Sequence, residues 1–151
     1  MFVSKVCSMT KHNPFGTETK LPFIENQIQN RDYAKAFYSM LNGTYDLVPL
    51  DIHLFSTVPH PRYKTGSGNL TYYNNFQSNS KGYKYTAMEI GGKVGTKGTW
   101  VEVKATDIVY IICQQDCSSK GKVGFVCLKI FVNHTSNLSQ TDELTRNREI
   151  I

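Results

Sequence analysis

Long apolar runs are what this chain most plainly lacks: the longest compact one, Ile108 to Cys113, is far shorter than a membrane-spanning helix requires. No membrane span is expected. Catalytic signatures are missing too, since no Gly-x-Ser-x-Gly or His-Glu-x-x-His pattern occurs and the four histidines, at 12, 53, 60 and 134, are scattered. His53 and His60 read as surface loop residues, and Glu89 and Glu102 sit in strand-like alternation with no recognisable acid or base partner. An enzyme is therefore not expected. The four cysteines, at 7, 113, 117 and 127, form no Cys-x2-Cys pairs, so neither a metal nor a cofactor is expected. Gly91 to Gly98 is glycine-rich but contains no Gly-x4-Gly-Lys-Ser/Thr and lies between strands, where a hairpin connection explains it better than a phosphate loop. A contiguous basic block is also absent. The net charge is +5, yet the lysines at 81, 84, 93, 97, 104, 120, 122 and 129 are spread out, which suits solvated strand faces and not a nucleic-acid partner.

What is present describes one globular domain. The 151 residues are 40% hydrophobic and 19% charged, enough to bury a core. Aromatics make up 12%, with nine Tyr against one Trp, and lean toward strands carrying rings with polar tips. An even cysteine count suits two disulfides, whose connectivity the sequence leaves open. Four Asn-x-Ser/Thr sequons, at Asn42, Asn69, Asn133 and Asn137, point to a secreted glycoprotein, although Met1 to Ser8 shows no apolar signal-peptide core.

The pattern is organised around Trp100 to Val132. Gly98 to Lys104 alternates like a strand, Thr106-Asp107 makes a short step, and Ile108 to Cys113 is a β-branched and aromatic run. Gln114 to Lys122 reads as a hairpin loop and Val123 to Val132 as a long strand. Gln140 to Arg148 predicts a C-terminal helix, with Ser139 as N-cap, Asp142 at the capping-box position, and Arg146 and Arg148 in the last turn. Upstream, Met1 to Asn30 reads as an irregular arm. Arg31 to Leu41 predicts a short amphipathic helix from Tyr33, Phe37 and Leu41 at spacing four. Gly43 to Phe55 is a strand broken near Pro49, Ser56 to Ser67 a loop, and Asn69 to Phe76 and Tyr83 to Ile90 are alternating strands.

The order of Thr106-Asp107, a strand ending in Cys113, a further strand and then a helix resembles the lipocalins, most closely the secreted salivary-type lipocalins of insects and ticks. Gly43-Thr44-Tyr45 matches the Gly-x-Trp that opens the first strand, with Tyr in place of Trp. Thr106-Asp107 matches the Thr-Asp turn, and His134 falls where the family carries a barrel-closing Arg. The resemblance covers residues 31 to 149 of a domain expected over 31 to 151, and it implies an all-β, up-and-down antiparallel barrel, complete or, given the short middle, incomplete, flanked by an N-terminal and a C-terminal helix. It also implies that Cys7 ties the N-terminal arm to Cys113, while Cys117 and Cys127 would staple a hairpin.

The family implies a monomeric secreted carrier or scavenger of a small hydrophobic or amphipathic ligand: a biogenic amine, a lipid mediator, haem or a pigment. Tyr73, Tyr83, Tyr85, Trp100 and Tyr110 are the candidate ligand-binding residues, since rings give shape contacts and hydroxyls orient a ligand. The alternative is a β-rich interaction module or inhibitor that meets a host protein through its surface and has no cavity.

Overall fold

The computed structural model describes residues 7, 19–56, 62–65, 68, 73–77, 85–116, 126–133 and 143–150. They are mostly antiparallel strand with one long helix. The helix, α1, spans Gln27–Met40, so it starts earlier than the apolar spacing predicts. Its start is set by Asn26, whose extended backbone leaves the side-chain oxygen free to accept the Gln29 N–H at 2.9 Å. Its buried stripe, Asn30, Tyr33, Ala34, Phe37 and Met40, follows the helical period.

The helix stops in a Schellman turn. Asn42 takes the left-handed conformation at φ 54 and Gly43 follows at φ 72. The Asn42 N–H donates to the Ser39 carbonyl at 3.3 Å and the Gly43 N–H to the Tyr38 carbonyl at 2.9 Å. Gly43 is thus a helix terminator. Tyr45, expected at a barrel floor, is exposed beyond this turn.

Eight strands follow among the described residues: β1 (Asp46–Leu50), β2 (His53–Ser56), β3 (Arg62–Lys64), β4 (Tyr85–Ile90), β5 (Trp100–Val103), β6 (Tyr110–Asp116), β7 (Val126–Val132) and β8 (Glu143–Ile150). They form three antiparallel sheets, ordered β1-β4-β5, β2-β3 and β6-β7-β8. No closed cylinder occurs among these ladders. Pro49 is accommodated because β1 is the edge of its ladder. The glycine-rich stretch does connect a hairpin, β4 to β5, through the turn Gly92–Val94.

Several expectations need correction, among them that Ser56 to Ser67 is a loop, since β3 lies within it and pairs with β2. The segment expected as a C-terminal helix is β8, which pairs with β7 from Val126 opposite Ile150 to Phe131 opposite Glu143. Local capping signals lost there to an unpaired strand edge, whose backbone groups are satisfied by a ladder. β5 does not form a meander with β6, because it pairs with β4 and the chain crosses to the other sheet at the turn Ala105–Asp107. Gln114, expected in a loop, lies inside β6 opposite Leu128.

The N-terminal segment joins the two larger sheets. Lys20 exchanges both backbone hydrogen bonds with Gln114, at 2.9 and 2.7 Å, and the Pro22 carbonyl accepts the Asp51 N–H just past β1 at 2.9 Å. Cys7 and Cys113, 106 residues apart in sequence, form a buried disulfide. Cys127 is also disulfide-bonded, and Cys117 lies outside the described residues.

Strand alternation feeds two cores. Val48, Leu50, Met88, Ile90, Trp100, Ile112, Leu128 and Ile130 pack with α1. Ala87, Val103, Ile111, Cys113 and Phe131 pack with Cys7 and Leu21 in a second cluster. Neighbouring residues of β4 and β6 therefore point to different cores.

Candidate functional site

The site is built outward from Trp100, at 1% exposure the largest fully buried side chain. Asn30, a polar residue on the buried stripe of α1, accepts the Trp100 indole N–H through Oδ1 at 2.8 Å. Its Nδ2 donates to the Gly98 carbonyl at 3.1 Å. Both ends of this buried amide are matched, as a polar group without water requires. Gly98 has φ +68, and a Cβ there would stand 2.7 Å from Asn30 Nδ2, so the helix can approach only because the position is glycine.

Residues 73–77 complete the wall beside Trp100. Asn75 Nδ2 also donates to the Gly98 carbonyl, at 2.8 Å, while its own carbonyl accepts the Trp100 backbone N–H at 2.9 Å. Phe76 forms an isolated parallel bridge with Trp100, where a regular strand was expected. Tyr73 and Phe76 both meet the indole edge-on with centroids at 5.5 Å, and Tyr63 of β3 stacks on Phe76 at 4.4 Å. The Tyr63 hydroxyl reaches Glu102 Oε1 at 3.5 Å. Burial, then the charge of Glu102 and this contact, raise the Tyr63 phenol above its ordinary range, and burial raises that of Tyr73.

Between this wall, the first turns of α1 and the turn at Thr96-Lys97 lies a cleft of about 330 Å³. Gln27, Ile28, Asn30 and Arg31 line it from the helix, Tyr73 and Asn75 from the wall, and Thr96 and Lys97 from the turn. Its surface is mixed, with amides, cations, one phenol and the exposed side chain of Ile28. Among the described residues no group of three His, Cys, Asp or Glu side chains is placed to hold a metal ion. No helix among them is long and apolar enough to cross a membrane.

The expected tyrosine set does not converge. Tyr73 lines the cleft and Trp100 stands behind it, but Tyr110 is half-buried against the helix-side core and Tyr85 against the other. Tyr83 lies outside the described residues. The reason is strand geometry: Tyr85 follows the face of Ala87, opposite to that of Met88, whose partner is Trp100. Of the residues expected to close a barrel, Gly43 ends α1, Tyr45 is exposed, and Thr106 and Asp107 form a 3-10 turn in which the Asp107 carboxylate accepts the Lys104 N–H at 3.0 Å. His134 lies outside the described residues. Burial, then the charge of Glu89, raise the Tyr45 phenol.

The sequons divide similarly. Asn42 is exposed at the helix end. Asn133 donates through Nδ2, the atom that carries a glycan, to the carbonyls of Ala105 at 3.3 Å and Ile108 at 2.8 Å. Asn69 and Asn137 lie outside the described residues.

No family model, curated protein or solved structure matches this chain. The site therefore has to be read from its own chemistry. Sequence reasoning missed Asn30, Arg31, Asn75, Thr96 and Lys97. Asn30 alone carried a signal, as a polar residue in register with Tyr33, Ala34 and Phe37 on an otherwise apolar stripe.

Proposed function

We propose that this chain is a secreted, non-enzymatic binding protein that takes a small amphipathic ligand in the cleft between α1, Tyr73 and the Thr96-Lys97 turn. The observation that carries this is the cleft itself. Its volume of about 330 Å³ suits a small molecule, since such sites span roughly 300–1,000 Å³. The Tyr73 ring and Ile28 offer apolar contact, and the flanking polar groups offer orientation. The disulfides at Cys7–Cys113 and Cys127 favour an oxidising compartment and so a secreted protein. The tie from the N-terminal segment to a late strand also supports kinship with arthropod lipocalins.

Trp100 gives the test, because it is the only tryptophan and is bonded through Asn30 to the cleft wall. Native mass spectrometry of the protein from a secretory host identifies a retained ligand by its mass. Stripping that ligand and titrating it back should shift the Trp100 emission. Bare protein with free thiols overturns the proposal.

A second reading, a surface that meets a host protein, is favoured by Tyr38 and Tyr45, which are 40% and 52% exposed around the helix end. Retention of a protein partner that survives Tyr73→Ala but not Tyr45→Ser would move the conclusion there.

A further inference from the structure

We infer that the cleft selects its ligand by a negatively charged head group, a carboxylate or a phosphate, held between Arg31 and Lys97. This rests on the proposal that the cleft is the binding site. Arg31 belongs to the helix wall and Lys97 to the turn before β5, so the two cations come from different elements that bound the same space. Among the described residues that line it, none is acidic. Arg31 meets its neighbour Asp32 at 4.0 Å, the outer limit of an ion pair, with side chains 63% and 38% exposed. Such a contact contributes little and leaves the guanidinium able to turn toward a ligand.

The fixed amides push in the same direction. Asn30 has both ends engaged, by Trp100 and Gly98, and Asn75 Nδ2 is engaged by Gly98. The charge that the described lining presents to an incoming head group is therefore that of the two cations. An ammonium would be repelled by both, whereas an anion gains from both, and a guanidinium adds paired donors suited to carboxylate or phosphate oxygens. Ile28 and the Tyr73 ring give the remainder of the molecule an apolar surface. Of the ligand types that an amphipathic site could take, biogenic amines are thereby disfavoured.

The test compares four probes that share a tail and differ in head: decanoate, decyl phosphate, decylamine and decanol. Each is titrated into the full-length protein, with Trp100 emission and calorimetry as readouts. Decanoate or decyl phosphate should bind at least about tenfold more tightly than decylamine, and the preference should shrink in high salt. Whichever of the two anions binds better identifies the head group. Arg31 and Lys97 are both exposed, so Arg31→Gln and Lys97→Gln should fold normally and each weaken the anion several-fold while leaving decanol unchanged. Lys97→Glu should turn the preference toward decylamine. Equal binding of all four probes, or tighter binding of decylamine by the unmodified protein, overturns the anion preference and leaves the cleft as a binding site. If no probe binds and Trp100 does not respond, the cleft reading falls with it.

Discussion

The hydroxyl of Tyr33 donates to Gln114 Oε1 at 2.6 Å, joining the buried face of α1 to the middle of β6. The same oxygen accepts the Phe23 N–H at 3.0 Å, and the Gln114 backbone pairs with Lys20. One side chain thus holds helix, N-terminal segment and sheet together. Gln114→Leu leaves two donors without a partner and should cost about 2–4 kcal/mol, whereas Tyr33→Phe removes only one donor and should cost about 1 kcal/mol. Urea denaturation with an unchanged m-value is the check.

Tyr33 also makes stability depend on alkaline pH. Burial, then the negative charge of Glu25, push its phenol well above the ordinary range. The folded state therefore keeps the proton where the unfolded chain releases it, near pH 10. Stability should be intact below about pH 10 and fall as pH rises toward the folded value, because the native state then binds more protons than the unfolded one. Tyr45, Tyr63 and Tyr73 are raised as well, so the contribution of Tyr33 is the part of the slope that disappears in Tyr33→Phe.

The Cys7–Cys113 bridge closes most of the chain into one loop. On chain-entropy grounds, replacing both cysteines by alanine should remove about 3–5 kcal/mol. Thermal or urea unfolding without reductant measures this. A loss below about 1 kcal/mol would mean that the Lys20 and Phe23 contacts hold the segment unaided.

The Asn30–Trp100 bond predicts a spectroscopic signature. Asn30→Ala should cost about 2 kcal/mol by leaving the indole N–H and one donor to Gly98 unmatched or missing. Gly98→Ala should cost as much or more, since a side chain there meets Asn30 at positive φ. Trp100 emission should change in both variants. Unchanged emission in Asn30→Ala would dismiss the bond as a determinant of the indole environment.

Asn133 clamps the β5–β6 turn through two carbonyls. Asn133→Ala should cost about 1–2 kcal/mol, and Asn133→Asp more at neutral pH because a carboxylate would face those carbonyl oxygens. The order of the two midpoints in urea is the measurement. Secretory expression with glycopeptide mapping should find Asn42 occupied in the folded fraction and Asn133 bare, since a glycan removes one of the two Nδ2 hydrogens that the clamp uses.

Much was legible locally. The β-branched runs gave the positions of β6 and β7, alternation placed β4 and β5, and the spacing of Tyr33 and Phe37 marked α1, because each of these patterns must bury one face wherever it lies. The even cysteines announced disulfides. What failed were decisions that involve a distant partner. Ser139 and Asp142 carry real helix-start preferences, yet residues 143–150 are a strand because β7 presents an edge that a ladder satisfies. Gly43 and Tyr45 looked like a barrel entry, whereas Gly43 completes the helix cap and Tyr45 points outward.

By itself the sequence determined that this chain is rich in strand, is stapled by cystine, and begins its sheets after one amphipathic helix. Period, β-branching and residue count act over a few neighbours and need no knowledge of the rest. Only the tertiary structure decided that Tyr73 and Trp100 stand together while Tyr85 and Tyr110 do not, and that Arg31 and Lys97 bound one cleft. Strand alternation says that two faces exist, but which face meets the helix depends on how the sheets are stitched by Lys20, Gln114 and Cys113, residues brought together from opposite ends of the chain.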